Sequence, residues 1–155
     1  MAVDLLRIAI TPEVEHPQEA AMVSAILDAG WDYVHLRHPG AGLRDIKRLI
    51  EAVPQKHHRK LRLHGHFELL NEFNLGGVHL NRRCRSLPAG YTGPFSRSCH
   101  SIDEIVRCTD EDYVTLSPIF DSVSKHGYRA AFSDMELMSV PTGRRVVALG
   151  GITPE

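Results

Sequence analysis

Short apolar runs recur along this chain about every 23 residues, from Ile8 to Val147, with helical patterns or polar loops filling the intervals. The runs fall at residues 6–10, 33–36, 61–64, 77–80, 95–99, 113–116 and 145–149, and each reads as a strand. Strands alternating with helices imply a parallel sheet with right-handed crossovers, which a doubly wound sheet and a (β/α) barrel both satisfy. No glycine fingerprint of the dinucleotide-binding kind follows the first strand, so the fold class is α/β and the expected architecture is a TIM (β/α)8 barrel. Seven strands are visible, and the chain stops at Ile152-Thr153-Pro154-Glu155, at the start of a seventh helix. Completion would need roughly 40 to 50 further residues, so residues 1–155 read as a single barrel domain truncated at the C-terminus, with the eighth βα unit missing.

The intervals support this reading. His16-Pro17 opens a first helix that Ala29-Gly30 closes, and Leu43, Ile46, Leu49, Ile50 and Val53 give a second its apolar stripe before Pro54. Residues 67–73 form a third, with Phe67, Leu69, Leu70 and Phe73 on one side. Ser101 followed by Glu104 marks a capping box at a fourth, and Ser133-Asp134 opens a fifth.

Composition excludes several functions. The 18 Lys plus Arg balance 19 Asp plus Glu for a net charge of -1, which removes the electrostatic footprint of a nucleic-acid binder. His57-His58-Arg59-Lys60 and Asn81-Arg82-Arg83-Cys84-Arg85 read as solvated loop charge. No apolar run approaches a membrane span, and Met1-Ala2-Val3-Asp4 is no secretory signal, so a cytoplasmic protein is expected. Cys84, Cys99 and Cys108 make an odd set without a Cys-x-x-Cys pair, consistent with free thiols and no thiolate metal site.

The ten histidines are the unusual entry in the composition. In a (β/α) barrel the chemistry sits at the carboxyl ends of the strands, and six of the ten fall there: His35, His38, His64, His66, His79 and His100. Strand alternation puts His35 and Arg37 on one side, and His64 and His66 likewise if the third strand runs that far. After strand six, Ser117-Pro118-Ile119-Phe120-Asp121-Ser122-Val123-Ser124-Lys125 supplies hydroxyls and an ammonium suited to phosphate oxygens. After strand seven, Gly150-Gly151 lets backbone amides approach a phosphate.

Taken in order, these motifs resemble the thiamine phosphate synthase family, which includes the related thiazole tautomerases. Val34-His35-Leu36-Arg37 resembles its Val-Gln-Leu-Arg, and Gly77-Val78-His79-Leu80 matches its Gly-Val-His-Leu. Ser98-Cys99-His100-Ser101 resembles its Ser-x-His-Ser, Ser117-Pro118-Ile119-Phe120 its Gly-Pro-Ile-Phe, and Ala148-Leu149-Gly150-Gly151-Ile152 its Ala-Ile-Gly-Gly-Ile. The resemblance implies an enzyme acting on thiazole phosphate. The enzyme either couples it to a pyrimidine methyl diphosphate with loss of diphosphate, the family's default, or isomerises it. It implies that Arg37 and Lys125 bind diphosphate, and that Ser122, Ser124, Gly150 and Gly151 hold the thiazole phosphate. His35, His66, His79, Ser98 and Ser117 join the substrate-binding set, with His64, His100 and Lys125 as catalytic candidates.

The family's magnesium carboxylates have no counterpart here. Its Asn-Asp pair after strand three is His64-Gly65, and no acid stands in Asn81-Arg82-Arg83-Cys84. Pro39 replaces a lysine. These losses favour isomerisation, for which imidazoles titrating near neutrality are suited. The reading therefore assigns no metal ligand and no certain cofactor, leaving magnesium open. The partner is a small phosphate substrate, neither nucleic acid nor membrane, with homo-oligomerisation left open. Two alternatives stand beside it: a metal-dependent barrel hydrolase using the His64/His66 pair, and a non-catalytic binder of a thiamine precursor.

Overall fold

A computed structural model describes residues 5–123 and 125–153. The chain forms two compact units, one ending at Pro94 and the other beginning at Phe95. The expected readings at Met1-Ala2-Val3-Asp4, at Ser124 and at Pro154-Glu155 lie outside the described residues.

The first unit carries β1 (Ile8–Ile10), α1 (Glu19–Asp28), β2 (Tyr33–Leu36), α2 (Leu43–Ala52), β3 (Leu61–Leu63) and β4 (Gly77–Leu80). Each strand pairs in parallel with the next, with Ile10 opposite His35, His35 opposite Arg62, and Leu63 opposite Val78. Strand alternation then sorts the side chains by chemistry. Val34, Leu36, Leu61 and Leu63 point to one face and pack with Val23 and Leu27 of α1 and Ile46 and Ile50 of α2. The spacing of four between each helical pair places both residues on one stripe, and full burial of a Leu or Ile is worth about 1.5–3 kcal/mol. The other face is polar: the Arg62 guanidinium lies 4.4 Å from the centre of the Tyr33 ring, and His35 and His79 meet at 4.7 Å between ring centroids.

Two segments differ from the sequence expectation. Residues 67–73 do not make an α-helix; Phe67–Asn71 is a single 3-10 segment. Leu69 is its one fully covered side chain; Phe67 and Leu70 are only partly buried against the same core, and the chain turns back towards β4 after this short segment. A second 3-10 segment, Gln55–Lys60, corrects the reading of His57 and His58 as solvated charge. Both are buried. The His58 Nε2 lies 3.0 Å from the Ile50 carbonyl, which also accepts from the Val53 amide, and 2.9 Å from the Val53 carbonyl, so the imidazole caps the end of α2. His57 Nε2 stands 3.1 Å from Asp28 at the end of α1.

The second unit carries β5 (Phe95–Cys99), α3 (Ile102–Arg107), β6 (Tyr113–Leu116), α4 (Asp134–Met138) and β7 (Val146–Ala148). These strands are also parallel, with Ser98 opposite Thr115 and Thr115 opposite Val147. Its core joins Cys99, Val114 and Leu116 to Ile105 and Cys108. Ser101 caps α3 by accepting from the Glu104 amide at 3.2 Å. The Glu104 carboxylate meets the amide of His100 rather than that of Ser101, so the expected box is displaced by one residue. At α4 the reciprocal box between Ser133 and Glu136 is complete. The seven-strand α/β reading holds across the two units, with the first, third and last strands shorter than expected.

Candidate functional site

In the first unit, the carboxyl ends of β2, β3 and β4 bring three imidazoles together. His35 Nδ1 lies 2.8 Å from His64 Nε2, and the rings of His64 and His79 stack at 4.4 Å with 23° between their planes. One nitrogen from each of the three falls within 4.8 Å of the others. The placement follows from register. β3 ends at Leu63, but the His64 amide continues the ladder by donating to the Leu36 carbonyl, which keeps the His64 side chain on the polar face. Asn81 then ties the two neighbouring turns, donating from Nδ2 to the carbonyls of His64 at 3.1 Å and His79 at 3.3 Å.

Burial acts on the protonation of this group. Desolvation, followed by the neighbouring His64, His79 and Arg62, holds the His35 pKa well below 6.5. His64 is lowered likewise, by burial first and then by His79 and Arg37. At neutral pH both rings are neutral, able to present a lone pair as well as an N–H.

Arg37 sits beyond β2, where its amide donates to Thr11 Oγ1 at 2.8 Å and its guanidinium pairs with Glu13 at 2.7 Å. His38 turns away into a buried pair with Glu19 at 2.6 Å. His66 is separated from His64. The strand does not run on to it, its backbone is left-handed at φ 52°, and its Nε2 faces the Ala41 carbonyl at 2.9 Å. The structure thus does not assemble the expected His64/His66 pair; it assembles His64 with His35 and His79.

Arg62 and Asn81 were missed as site residues. Arg62 is fully buried in the strand. Its signal was available: a cation alternating with leucines in Leu61-Arg62-Leu63 must lie on the same face as His64.

In the second unit, the loop after β6 folds against the turn after β7. The Ser117–Pro118 peptide is cis. Ile119 and Phe120 donate to the carbonyls of Leu149 and Gly150 at 2.9 and 3.0 Å. Gly150 and Gly151 have φ of +97° and +64°, and a Cβ on Gly151 would stand 2.2 Å from the Asp121 carbonyl oxygen. Only glycine fits both the backbone conformation and this approach. Among the backbone hydrogen bonds of the described residues, neither glycine amide donates. Ser122 Oγ accepts from the Lys125 amide at 3.0 Å, and the Lys125 ammonium lies 5.5 Å over the Tyr128 ring. His100 is exposed, with Nδ1 at 3.2 Å from the Ser117 carbonyl and 3.5 Å from its hydroxyl. Ser98 is half-buried on β5, on the same face as Ser96.

Residues 8–155 match the family described as thiamine monophosphate synthase. The chain belongs to this family. Among solved structures it is similar to thiamine phosphate pyrophosphorylase from Bacteroides thetaiotaomicron, with 35% identity and a TM-score of 0.82. That match covers 96% of this chain and 73% of the other. No curated protein matches. The thiamine monophosphate synthase family is one of thiamine biosynthesis, and the fold shared with that structure is the TIM-like α/β fold. No helix among the described residues is long and apolar enough to cross a membrane.

The places where the resemblance implies magnesium carboxylates hold none. Gly65 has no side chain to offer. The Asn81 carboxamide is committed on both atoms, its Oδ1 accepting from the amides of Arg83 at 2.9 Å and Cys84 at 3.1 Å. These residues do not fit a hard, oxygen-seeking ion.

Proposed function

We propose that this chain is a thiamine-biosynthetic transferase that binds thiazole phosphate and joins it to a pyrimidine methyl diphosphate. The observation that carries this reading is the corner made by Gly150-Gly151 against Pro118 to Asp121, with Ser122 and Lys125 on the same loop. Backbone amides, a hydroxyl and an ammonium are the donors a phosphate monoester requires.

In the coupling, the bond between the pyrimidine methylene and the diphosphate oxygen breaks, its electron pair leaves with diphosphate, and the thiazole nitrogen bonds to the cationic carbon. Negative charge concentrates on the departing oxygen, where cationic side chains are most effective. Lys125 supplies that charge from the loop after β6. Family membership and the synthase-type relative favour coupling over isomerisation. The exposed His100 imidazole beside Ser117 keeps isomerisation as the second reading, since it offers a proton-transfer group on the same loop system.

Incubation of the protein with thiazole phosphate alone, and with pyrimidine methyl diphosphate and a divalent cation, separates these readings by mass spectrometry. Coupled product only with both substrates is the expected result. An isomerised thiazole from the single-substrate arm would replace coupling, and neither binding nor turnover would reject both.

A further inference from the structure

We propose that His35, His64 and His79 form a binding site for one divalent transition-metal ion of the zinc and cobalt class. Three imidazoles from three adjacent strand ends present nitrogens within 4.8 Å of one another. A tetrahedral ion with Zn–N bonds of about 2.0–2.1 Å holds its ligand nitrogens roughly 3.3 Å apart. His35 and His64 stand at 2.8 Å, so this pair needs to open by about half an ångström to take an ion in place of the proton between them, and the His79 ring, stacked on His64 with 23° between the planes, must turn to aim its nitrogen at the same point.

The ligand chemistry selects the ion. Imidazole nitrogens suit zinc, cobalt, nickel and copper, whereas magnesium demands oxygen ligands, and the cluster contains no carboxylate. The support is rigid. His35 and His79 lie within strands and are 0% and 1% exposed, and Asn81 fixes the backbone at both His64 and His79. His64 is only half-buried, so solvent can supply the fourth ligand, as in open three-protein-ligand sites.

Two of the three ligands, His35 and His64, stand where the resembled family carries Gln and Asn. Of the three ligands, the resembled family's motifs therefore carry only His79. Metal binding here requires nothing of the Ser122, Lys125 and glycine loops, so it can hold or fail independently of the proposed reaction.

The test uses tag-free, chelator-treated protein titrated with cobalt(II), followed by visible absorption and by calorimetry. One equivalent should bind, with the intense bands of a low-coordinate site, be displaced by zinc and resist excess magnesium. His64→Asn and His79→Asn should each weaken binding by about 100-fold or more, with circular dichroism unchanged. Unchanged binding in the folded variants, or less than one equivalent in the wild type, would overturn the site. Should the variants not fold, X-ray absorption of the zinc-loaded wild type decides: three imidazoles at about 2.0–2.1 Å support the site, and any other shell refutes it.

Discussion

His35 Nδ1 and His64 Nε2 stand in hydrogen-bond contact at 2.8 Å, one ring fully buried and the other half-covered. Two neutral imidazoles are compatible only if one presents an N–H and the other a lone pair, so their tautomers are linked. Replacing His64 by Leu removes this bond from a buried ring and should cost about 1–3 kcal/mol. His64→Asn keeps a polar partner and should cost less. Urea denaturation midpoints for the two variants check the order; a Leu variant as stable as the Asn variant contradicts it.

Gly151→Ala places a methyl group 2.2 Å from the Asp121 carbonyl in a left-handed backbone. The loop bearing Ser122 and Lys125 must shift. Affinity for thiazole phosphate, measured by calorimetry, should fall at least tenfold, about 1.4 kcal/mol. An unchanged affinity would remove the glycine corner from the phosphate site.

His58 meets two carbonyls at the end of α2 from a buried position. His58→Ala should lower stability by about 1–3 kcal/mol, lowering the denaturant midpoint without changing the slope. A midpoint within error of the wild type would mean that water caps the helix equally well.

The Cys99 thiol is pushed up to about 12, by burial first and then by the neighbouring Cys108. Thiolate is the reactive form, so Cys99 should resist a disulfide reagent at pH 8 in the native protein. Cys84 is the accessible thiol, and Cys99 and Cys108 are buried. One thiol should titrate promptly and three after unfolding; three prompt thiols in the folded protein would contradict the packing around β5.

Burial raises the pKa of Glu111, but the Arg97 hydrogen bond at 2.6 Å and backbone amides outweigh it, leaving the carboxyl below its usual 4.5. A lowered carboxylate stabilises the fold above its unfolded pKa and loses that contribution as pH falls through the folded one. Wild type should therefore lose stability below about pH 4.5 more steeply than Glu111→Gln. Parallel acid limbs in chemical denaturation at stepped pH would show that the pair contributes nothing.

Much of the architecture was legible because strand burial is written locally. A period of two in Val34-His35-Leu36 and Leu61-Arg62-Leu63 states which side chains face the helices, whatever the partner strands are. The start of α4 was legible for the same reason: the expected opening at Ser133-Asp134 is where Ser133 caps the helix. The third helix was not, because an apolar stripe in residues 67–73 says nothing of how much core surface is available: only Leu69 is fully covered, while Phe67, Leu70 and Phe73 pack partly buried against the core.

The sequence by itself determined the α/β order, the polar face of β2 and β3, and the set of histidines at the strand ends. It did not determine which histidines meet. His64 and His66 are closest in sequence yet diverge, because one left-handed residue re-aims the chain. His35, His64 and His79 are up to 44 residues apart yet pack ring against ring. Parallel pairing sets neighbours by register across crossovers, an interaction between distant segments that no local pattern encodes.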